Sequence, residues 1–160
     1  MDDIDVVELK KFLLKANENG YAGDGNEVKA QRPGFEEIEY IDGDYKFRDS
    51  YTGSYFAPGQ EIVYYKNKPI WAMAYAGGMN FKHHGDRKLA KDTFAFLKKA
   101  LLQMDPEKPF RGPSFFKDGD FEYHSEVMGD VLDFAGSELI NYQGNEVFSQ
   151  NFIGGIVVGK

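Results

Sequence analysis

The sequence predicts an α+β fold in which an α-β-β-β-β unit occurs twice. Three observations predict it: a motif that recurs in register, apolar residues that alternate along short segments, and an amphipathic helical segment before each set of strands. We expect antiparallel sheets that form a barrel or face each other, with two covering helices. The chain has 160 residues, enough for a single domain made of two repeats, at about 1–79 and 80–160.

The repeat is visible in the turns and in the apolar positions together. Segment 42–47 reads DGDYKF, and segment 118–123 reads DGDFEY. The glycine pair at 77–78 likewise has a counterpart at 154–155. Because turn residues and apolar residues keep the same register, the pattern indicates an internal duplication.

Each repeat begins with a predicted helix. The apolar residues from Val6 to Ala16 fall on one helical face, and Gly20 ends the helix. The second helix begins after Asp86, a suitable N-cap residue, and ends near Asp105. Its lysines share the face opposite the apolar one, which is typical of a solvated helix surface.

Four predicted strands follow each helix. An Asp-Gly turn at 42–43 favours a hairpin, and the residues from Tyr45 to Thr52 alternate with a period of two. The predicted strands cover 38–41, 45–52, 61–65 and 70–76 in the first repeat, and 114–117, 121–128, 138–142 and 147–153 in the second.

Composition excludes several classes of protein. There is no cysteine, so disulfides, thiolate metal sites and a cysteine nucleophile are excluded. The net charge of −7 argues against direct nucleic-acid binding, and no apolar run is long enough to span a bilayer. The acidic N-terminus is the reverse of a signal peptide, so we expect a cytoplasmic protein without a membrane partner. Phosphate-binding, dinucleotide-binding and nucleophile-elbow motifs are missing, which favours a non-enzymatic role without a cofactor.

The positions where the two repeats disagree are the best candidates for ligand binding. Asp49 shares a predicted strand face with aromatic residues, whereas its counterpart in the second repeat is Ser125. A carboxylate among rings needs a partner, either in a ligand pocket or in a structural hydrogen bond. The candidate ligand-binding residues are Arg48, Asp49, Tyr51, Trp71, Met73, Tyr75, His124 and Gln150.

Two further groups of residues could carry chemistry. Glu61 and Glu138 are matched acids at strand starts, which could form an acid/base pair or brace the same turn twice. His83, His84 and Asp86 are the densest group of metal-ligand residue types. Adjacent histidines do not share one face of a helix or strand, so we expect no metal site, and these three residues remain weak candidates.

Several segments together resemble a known family. They are RPG at 32–34, GDYKFRDSYTG at 43–53, GQEIVY at 59–64, KPIWAMAY at 68–75, FRGP at 110–113 and DGDF at 118–121. This pattern is similar to an uncharacterised bacterial and archaeal domain that occurs alone or behind an XRE-type helix-turn-helix module. The resemblance implies an accessory or sensing role where a DNA-binding module is attached, and it assigns no reaction.

We therefore expect a domain that binds or senses a small apolar or aromatic ligand between the two repeats. One alternative is a protein-interaction or homodimerisation module that exposes its rings as a patch. Another is a metal-assisted hydrolase that uses His83, His84 and Asp86. The 14 Phe, 10 Tyr and 1 Trp occur largely at paired positions, so most of them are expected to form the core.

Overall fold

A computed structural model describes residues 4–159, which form two α-helices, a short 3-10 turn and nine β-strands. In the first part of the chain, α1 (Val6–Asn19) precedes β1 (Glu27–Val28), β2 (Glu36–Asp42), β3 (Tyr45–Tyr51), β4 (Gly59–Tyr65) and β5 (Lys68–Met79). The 3-10 turn (Phe81–His83) then leads to α2 (Arg87–Leu101), which precedes β6 (Phe115–Asp118), β7 (Phe121–Asp130), β8 (Asp133–Tyr142) and β9 (Asn145–Ile156).

All nine strands belong to one antiparallel sheet with the order β1-β2-β3-β4-β5-β9-β8-β7-β6. Two-residue turns join β2 to β3, β4 to β5, β6 to β7, β7 to β8 and β8 to β9, whereas longer loops join β1 to β2 and β3 to β4. The two halves meet where β5 pairs with β9, in a register that runs from Trp71 opposite Ile156 to Met79 opposite Phe148. This long pairing makes the sheet continuous across the middle of the molecule.

The predicted architecture, a duplicated α-β-β-β-β unit with antiparallel sheets as a barrel or facing each other, is wrong. We expected two α-β-β-β-β units whose sheets form a barrel or face each other, but the described residues form a single open sheet. The physical reason lies at the β5–β9 junction, where the two backbones approach closely. A Cβ atom on Gly77 would lie 2.3 Å from the Cα of Gln150, so a side chain there would obstruct the pairing. Apolar alternation predicts strands but does not state which strand edges meet.

Helix α1 covers the β2–β3 side of the sheet. The Asp5 carboxylate caps the helix by accepting hydrogen bonds from the backbone N–H groups of Val7 and Glu8, at 3.0 and 3.1 Å. Its buried face consists of Leu9, Phe12, Leu13 and Ala16, within the apolar stripe that the sequence predicts. The ring of Phe12 stacks against those of Tyr40 and Tyr45, which attaches the helix to the sheet.

Helix α2 covers the β6–β7 side of the same sheet face. Asp86 caps it, as predicted, by accepting from the Leu89 N–H at 3.0 Å, although the helix ends at Leu101, before the predicted end. The ring of Phe96 stacks on the rings of Phe116 and Phe121. The two helices are linked where Asn17 donates a hydrogen bond to the backbone carbonyl of Leu101, at 2.8 Å.

The helices therefore cover one face of the sheet, which we call the inner face. The inner-face residues Trp71, Met73, Phe148 and Phe152 are buried in the core. On the opposite, outer face, Ile153 is 62% exposed. Neither helix among residues 4–159 has the length and the apolar character that a membrane crossing requires. Residues 1–3, part of the acidic N-terminus used for the cytoplasmic prediction, lie outside the described residues.

Candidate functional site

A cavity of about 300 Å³ lies between the middle of the inner face and the two helices. Most of its wall is apolar and includes Leu13, Ala16, Phe47, Phe94, Leu97 and Phe110. Its polar lining comes from several elements at once, namely Asp49, Glu61, Tyr75, Arg111 and Gln150. The exposed Glu36 and the half-buried Tyr51, which are cross-strand neighbours, also line the cavity, so we place its opening beside them.

One side of this polar lining is an ion pair between Arg111 and Glu138, in which both carboxylate oxygens accept hydrogen bonds. Arg111 reaches the inner face from the segment between α2 and β6 and forms two hydrogen bonds with Glu138 on β8, one of them at 3.1 Å from Nε to Oε2. Tyr123 donates to Oε2 at 2.6 Å, and Gln150 donates to Oε1 at 2.9 Å. Glu138 is only 2% exposed. Four donors thus satisfy both oxygens of this buried carboxylate.

The other side of the lining is a pair of carboxyl groups with few partners. Asp49 on β3 and Glu61 on β4 lie directly opposite each other in the antiparallel register. The Tyr75 hydroxyl donates to Oδ1 of Asp49 at 2.8 Å. Among residues 4–159, the ion-pair contact of Glu61 is a long one, 4.0 Å from its Oε1 to Nη1 of Arg111. Two acids therefore lie side by side at the cavity without a closely bound cation.

Burial raises the pKa of both acids, and the charge of Asp49 adds to this effect at Glu61. Burial raises the pKa of Asp49 to about 6, although the Tyr75 hydrogen bond and the charge of Arg111 oppose this shift. Burial, together with the negative charge of Asp49, raises the pKa of Glu61 to about 8, against the opposing effect of Arg111. Near neutral pH the pair therefore holds about one proton and one negative charge.

The structure brings four of the candidate ligand-binding residues together. Asp49, Tyr51, Tyr75 and Gln150 line the same cavity. Their positions follow from the sheet register, since these side chains all lie on the inner face of β3, β5 and β9. Their role in binding remains a prediction.

Two other candidates, Trp71 and Met73, lie in the core beside the cavity. Trp71 is 0% exposed and Met73 is 1% exposed, and both pack in the apolar cluster beneath α1. The indole Nε1 of Trp71 donates to the backbone carbonyl of Val131 at 3.0 Å. This hydrogen bond satisfies the indole, so we interpret Trp71 as a structural residue.

Arg48 and His124 lie on the outer face, away from the cavity. Nε of Arg48 lies 2.8 Å from Oε2 of the buried Glu37, with which it forms an ion pair. The side chain of His124 is 41% exposed and its ring contacts that of Phe115. The sheet therefore separates both residues from the other candidates.

The weak metal candidates are dispersed around the start of α2. The ring of His84 stacks against Tyr55, and its Nε2 lies 2.9 Å from the backbone carbonyl of Met79. Asp86 is engaged as the helix cap. Among residues 4–159, no three histidine, aspartate or glutamate side chains are grouped in a way that could hold a metal ion.

Sequence reasoning missed the residue at the centre of the polar lining, Arg111. The sequence predicts this segment as the link between the second helix and the strand after it, and periodicity does not indicate that the guanidinium is buried. The sequence identifies Glu61 and Glu138 as matched acids that could brace the same turn twice. In the structure neither braces a turn, and both side chains lie on the inner face of the sheet. The signal that could have found Arg111 is the need of a buried carboxylate for a cation.

The fold and the cavity define an α+β domain in which one antiparallel sheet and two helices enclose a cavity beside a buried ionic cluster. Within this class, the family model of the domain of unknown function DUF5680 matches residues 49–157, and the chain belongs to that family. This finding confirms the resemblance to an uncharacterised domain. No curated protein and no solved structure matches the chain.

Proposed function

We propose that this domain binds a small organic ligand with an apolar or aromatic body in the cavity between the sheet and the helices. The observation that carries the proposal is the cavity itself, with its apolar wall and a few converging polar groups. Small-molecule sites in proteins combine these same features. The polar groups would orient the ligand, and the apolar wall would supply most of the binding free energy.

The size of the cavity limits the ligand to about one or two rings. A volume of about 300 Å³ is at the lower end of the range for ligand pockets. A dry cavity of about 150 Å³ is known to accept benzene, so a substituted single ring fits this volume with room for a polar group. The ligand would enter beside Glu36 and Tyr51.

A sensing role would follow from the position of the cavity between separate elements. Its wall includes α1, α2 and the sheet, so an occupant would contact all three and fix their relative positions. Such a change suits an accessory domain of a regulator, which is the role implied by the resemblance to domains behind XRE-type modules. We include this sensing role in the proposal.

The test compares two alanine-to-phenylalanine substitutions on opposite faces of the sheet. Ala57 lines the cavity from a loop, so Ala57→Phe would occupy ligand space. Ala74 is exposed on the outer face of β5, so Ala74→Phe is the matched control. Phenethyl alcohol serves as the neutral probe, and its binding is measured by ligand-detected NMR and calorimetry.

We expect phenethyl alcohol to bind the unmodified protein and the Ala74→Phe variant with similar affinity. The Ala57→Phe variant should lose at least about tenfold in affinity, because the new ring fills the space of the probe. Circular dichroism verifies that both variants are folded. If the unmodified protein does not bind the probe, or if Ala57→Phe binds it equally well, the cavity is not the ligand site.

A further inference from the structure

We propose that the ligand of this cavity is an organic amine, whose protonated nitrogen lies between the carboxyl groups of Asp49 and Glu61. This inference rests on the proposed function, since it names the chemical class of the ligand for the same site. It assigns the polar end of the ligand to a position formed by β3 and β4, and the apolar body to the wall formed by the helices.

The charge balance of the cavity favours a cationic ligand. Arg111 is the single basic side chain among the described residues that line it, and Arg111 is hydrogen-bonded to Glu138. These two opposite charges neutralise each other. Asp49 is 2% exposed and still faces the cavity, as Glu61 does, so two acids remain without a neutralising cation. Buried carboxylates are normally paired, and a ligand cation would supply the missing partner.

The geometry of the two acids suits a single ammonium group. Directly opposed residues in an antiparallel pair have Cβ atoms about 4.5–5.5 Å apart, so their side chains can contact one group together. An alkylammonium group has three N–H donors in a compact head. Asp49 accepts a hydrogen bond from Tyr75 at Oδ1 and one from the backbone of Ser50, which leaves part of the acceptor capacity of its carboxylate unused, and no described residue donates a side-chain hydrogen bond to Glu61. One ammonium group can therefore donate to both carboxyl groups.

A ligand with a carboxylate end does not suit this charge distribution. Nε and Nη2 of Arg111 already donate to Glu138, so such a ligand would depend on the Nη1 group, which lies 4.0 Å from the acidic Glu61. It would also lie close to Asp49 and Glu61, which repel a negative charge. A neutral ligand avoids this repulsion but leaves the two acids unpaired.

The high pKa values of the two acids give this binding a characteristic pH dependence. An ammonium group favours the ionised carboxylates, so amine binding releases the proton that the pair holds near neutral pH. The affinity should therefore increase as the pH rises through about 8, while an alkylamine stays protonated up to about pH 10. The titratable and charged groups that line the cavity or act on Glu61 are Tyr21, Glu36, Asp49, Tyr51, Tyr75, Arg111 and Glu138.

The experiment compares phenethylamine, phenethyl alcohol and phenylacetate, which share one ring and one chain length. Their binding to the full chain is measured by calorimetry at about pH 6 and about pH 8.5. Glu61→Gln removes one charge at nearly constant shape. Glu126→Gln removes an equivalent charge from an exposed position on β7 and serves as the control.

We expect phenethylamine to bind at least about tenfold more tightly than the alcohol at the higher pH, and phenylacetate to bind most weakly. The Glu61→Gln variant should lose this preference, keep its affinity for the alcohol and show a smaller pH dependence, whereas Glu126→Gln should behave like the unmodified protein. Equal binding of amine and alcohol would overturn the amine inference and leave the proposed function intact. Binding of none of the three would overturn both.

Discussion

Glu61 and Glu138 occupy comparable positions on the two halves of the inner face, yet their surroundings differ completely. Glu138 accepts four hydrogen bonds from Arg111, Tyr123 and Gln150. Glu61 has a long contact with Arg111 and a second acid, Asp49, directly opposite it. The same residue type is thus satisfied in one half and unsatisfied in the other.

This difference indicates that one acid of the cluster has a structural role and the other a role in binding. A buried carboxylate with all its donors holds its neighbours in place, and removing it leaves their charge unpaired. A buried carboxylate without donors destabilises the folded chain, which is typical of positions that meet a ligand. We interpret Glu138 as structural and Glu61 as part of the binding site.

The Glu138→Leu substitution should cause the largest loss of stability. It leaves the guanidinium of Arg111 buried without its carboxylate, so the free energy of unfolding should fall by about 3–5 kcal/mol in urea denaturation. The double variant with Arg111→Met removes the orphaned charge and should recover most of this loss. If Glu138→Leu alone hardly changes the free energy of unfolding, the ion pair between Arg111 and Glu138 does not stabilise the fold, and the proposed structural role of Glu138 is wrong.

The Glu61→Gln substitution should raise the free energy of unfolding at high pH, which is the opposite of the effect expected for Glu138→Leu. Because the pKa of Glu61 is raised to about 8 in the folded chain, folding favours its protonated form, and ionisation above that pH destabilises the fold. The free energy of unfolding of the unmodified protein should therefore fall as the pH rises from about 4.5 to 8. At about pH 9 the variant should be more stable by about 1–3 kcal/mol, and near pH 4 the two should be equal. If the free energy of unfolding depends on pH in the same way in both proteins, Glu61 is not the group whose raised pKa causes the pH dependence.

The Tyr75→Phe substitution should have a smaller effect, which also depends on pH. It removes the hydroxyl that donates to Asp49 at 2.8 Å. Above pH 6, where Asp49 is ionised, this loss should lower the free energy of unfolding by about 1 kcal/mol. At lower pH the carboxyl group is neutral, so the measured difference should shrink. An effect of equal size at both pH values would show that the hydroxyl contributes independently of the charge on Asp49.

The Asp92→Asn substitution should change almost nothing. Its carboxylate pairs with Lys88 one helical turn away, at 2.7 Å, on the exposed surface of α2. Exposed pairs of this kind contribute about 0–0.5 kcal/mol. A urea titration should give overlapping curves, and this variant serves as the reference for the buried substitutions.

Local features of the fold could be predicted from the sequence, but its assembly could not. The Asp86 cap and the buried stripe of α1 follow from short-range chemistry that the residues themselves display. The pairing of β5 with β9 joins strands that are about 75 residues apart in the chain, and the residues of neither strand indicate which strand it pairs with. The predicted barrel or facing sheets are wrong because this long-range pairing joins all the strands into one sheet.

The same distinction holds for the candidate site. Asp49 was predicted because an acid among rings is conspicuous, and Tyr75 and Gln150 share its face by register. Arg48 and His124 are sequence candidates because the predicted repeats differ there, but strand alternation places them on the outer face. Arg111 was missed because its burial depends on how the segment after α2 folds over the sheet, which periodicity does not encode.

The most direct test of the contrast is an NMR titration of the Glu61 side-chain carboxyl group, in the free protein and with saturating phenethylamine. We expect a midpoint near pH 8 in the free protein and a clearly lower midpoint in the complex, because the bound ammonium group favours the ionised carboxylate. A midpoint near 4.5 in the free protein, or a midpoint that the amine leaves unchanged, would contradict the assignment of Glu61 to the binding site.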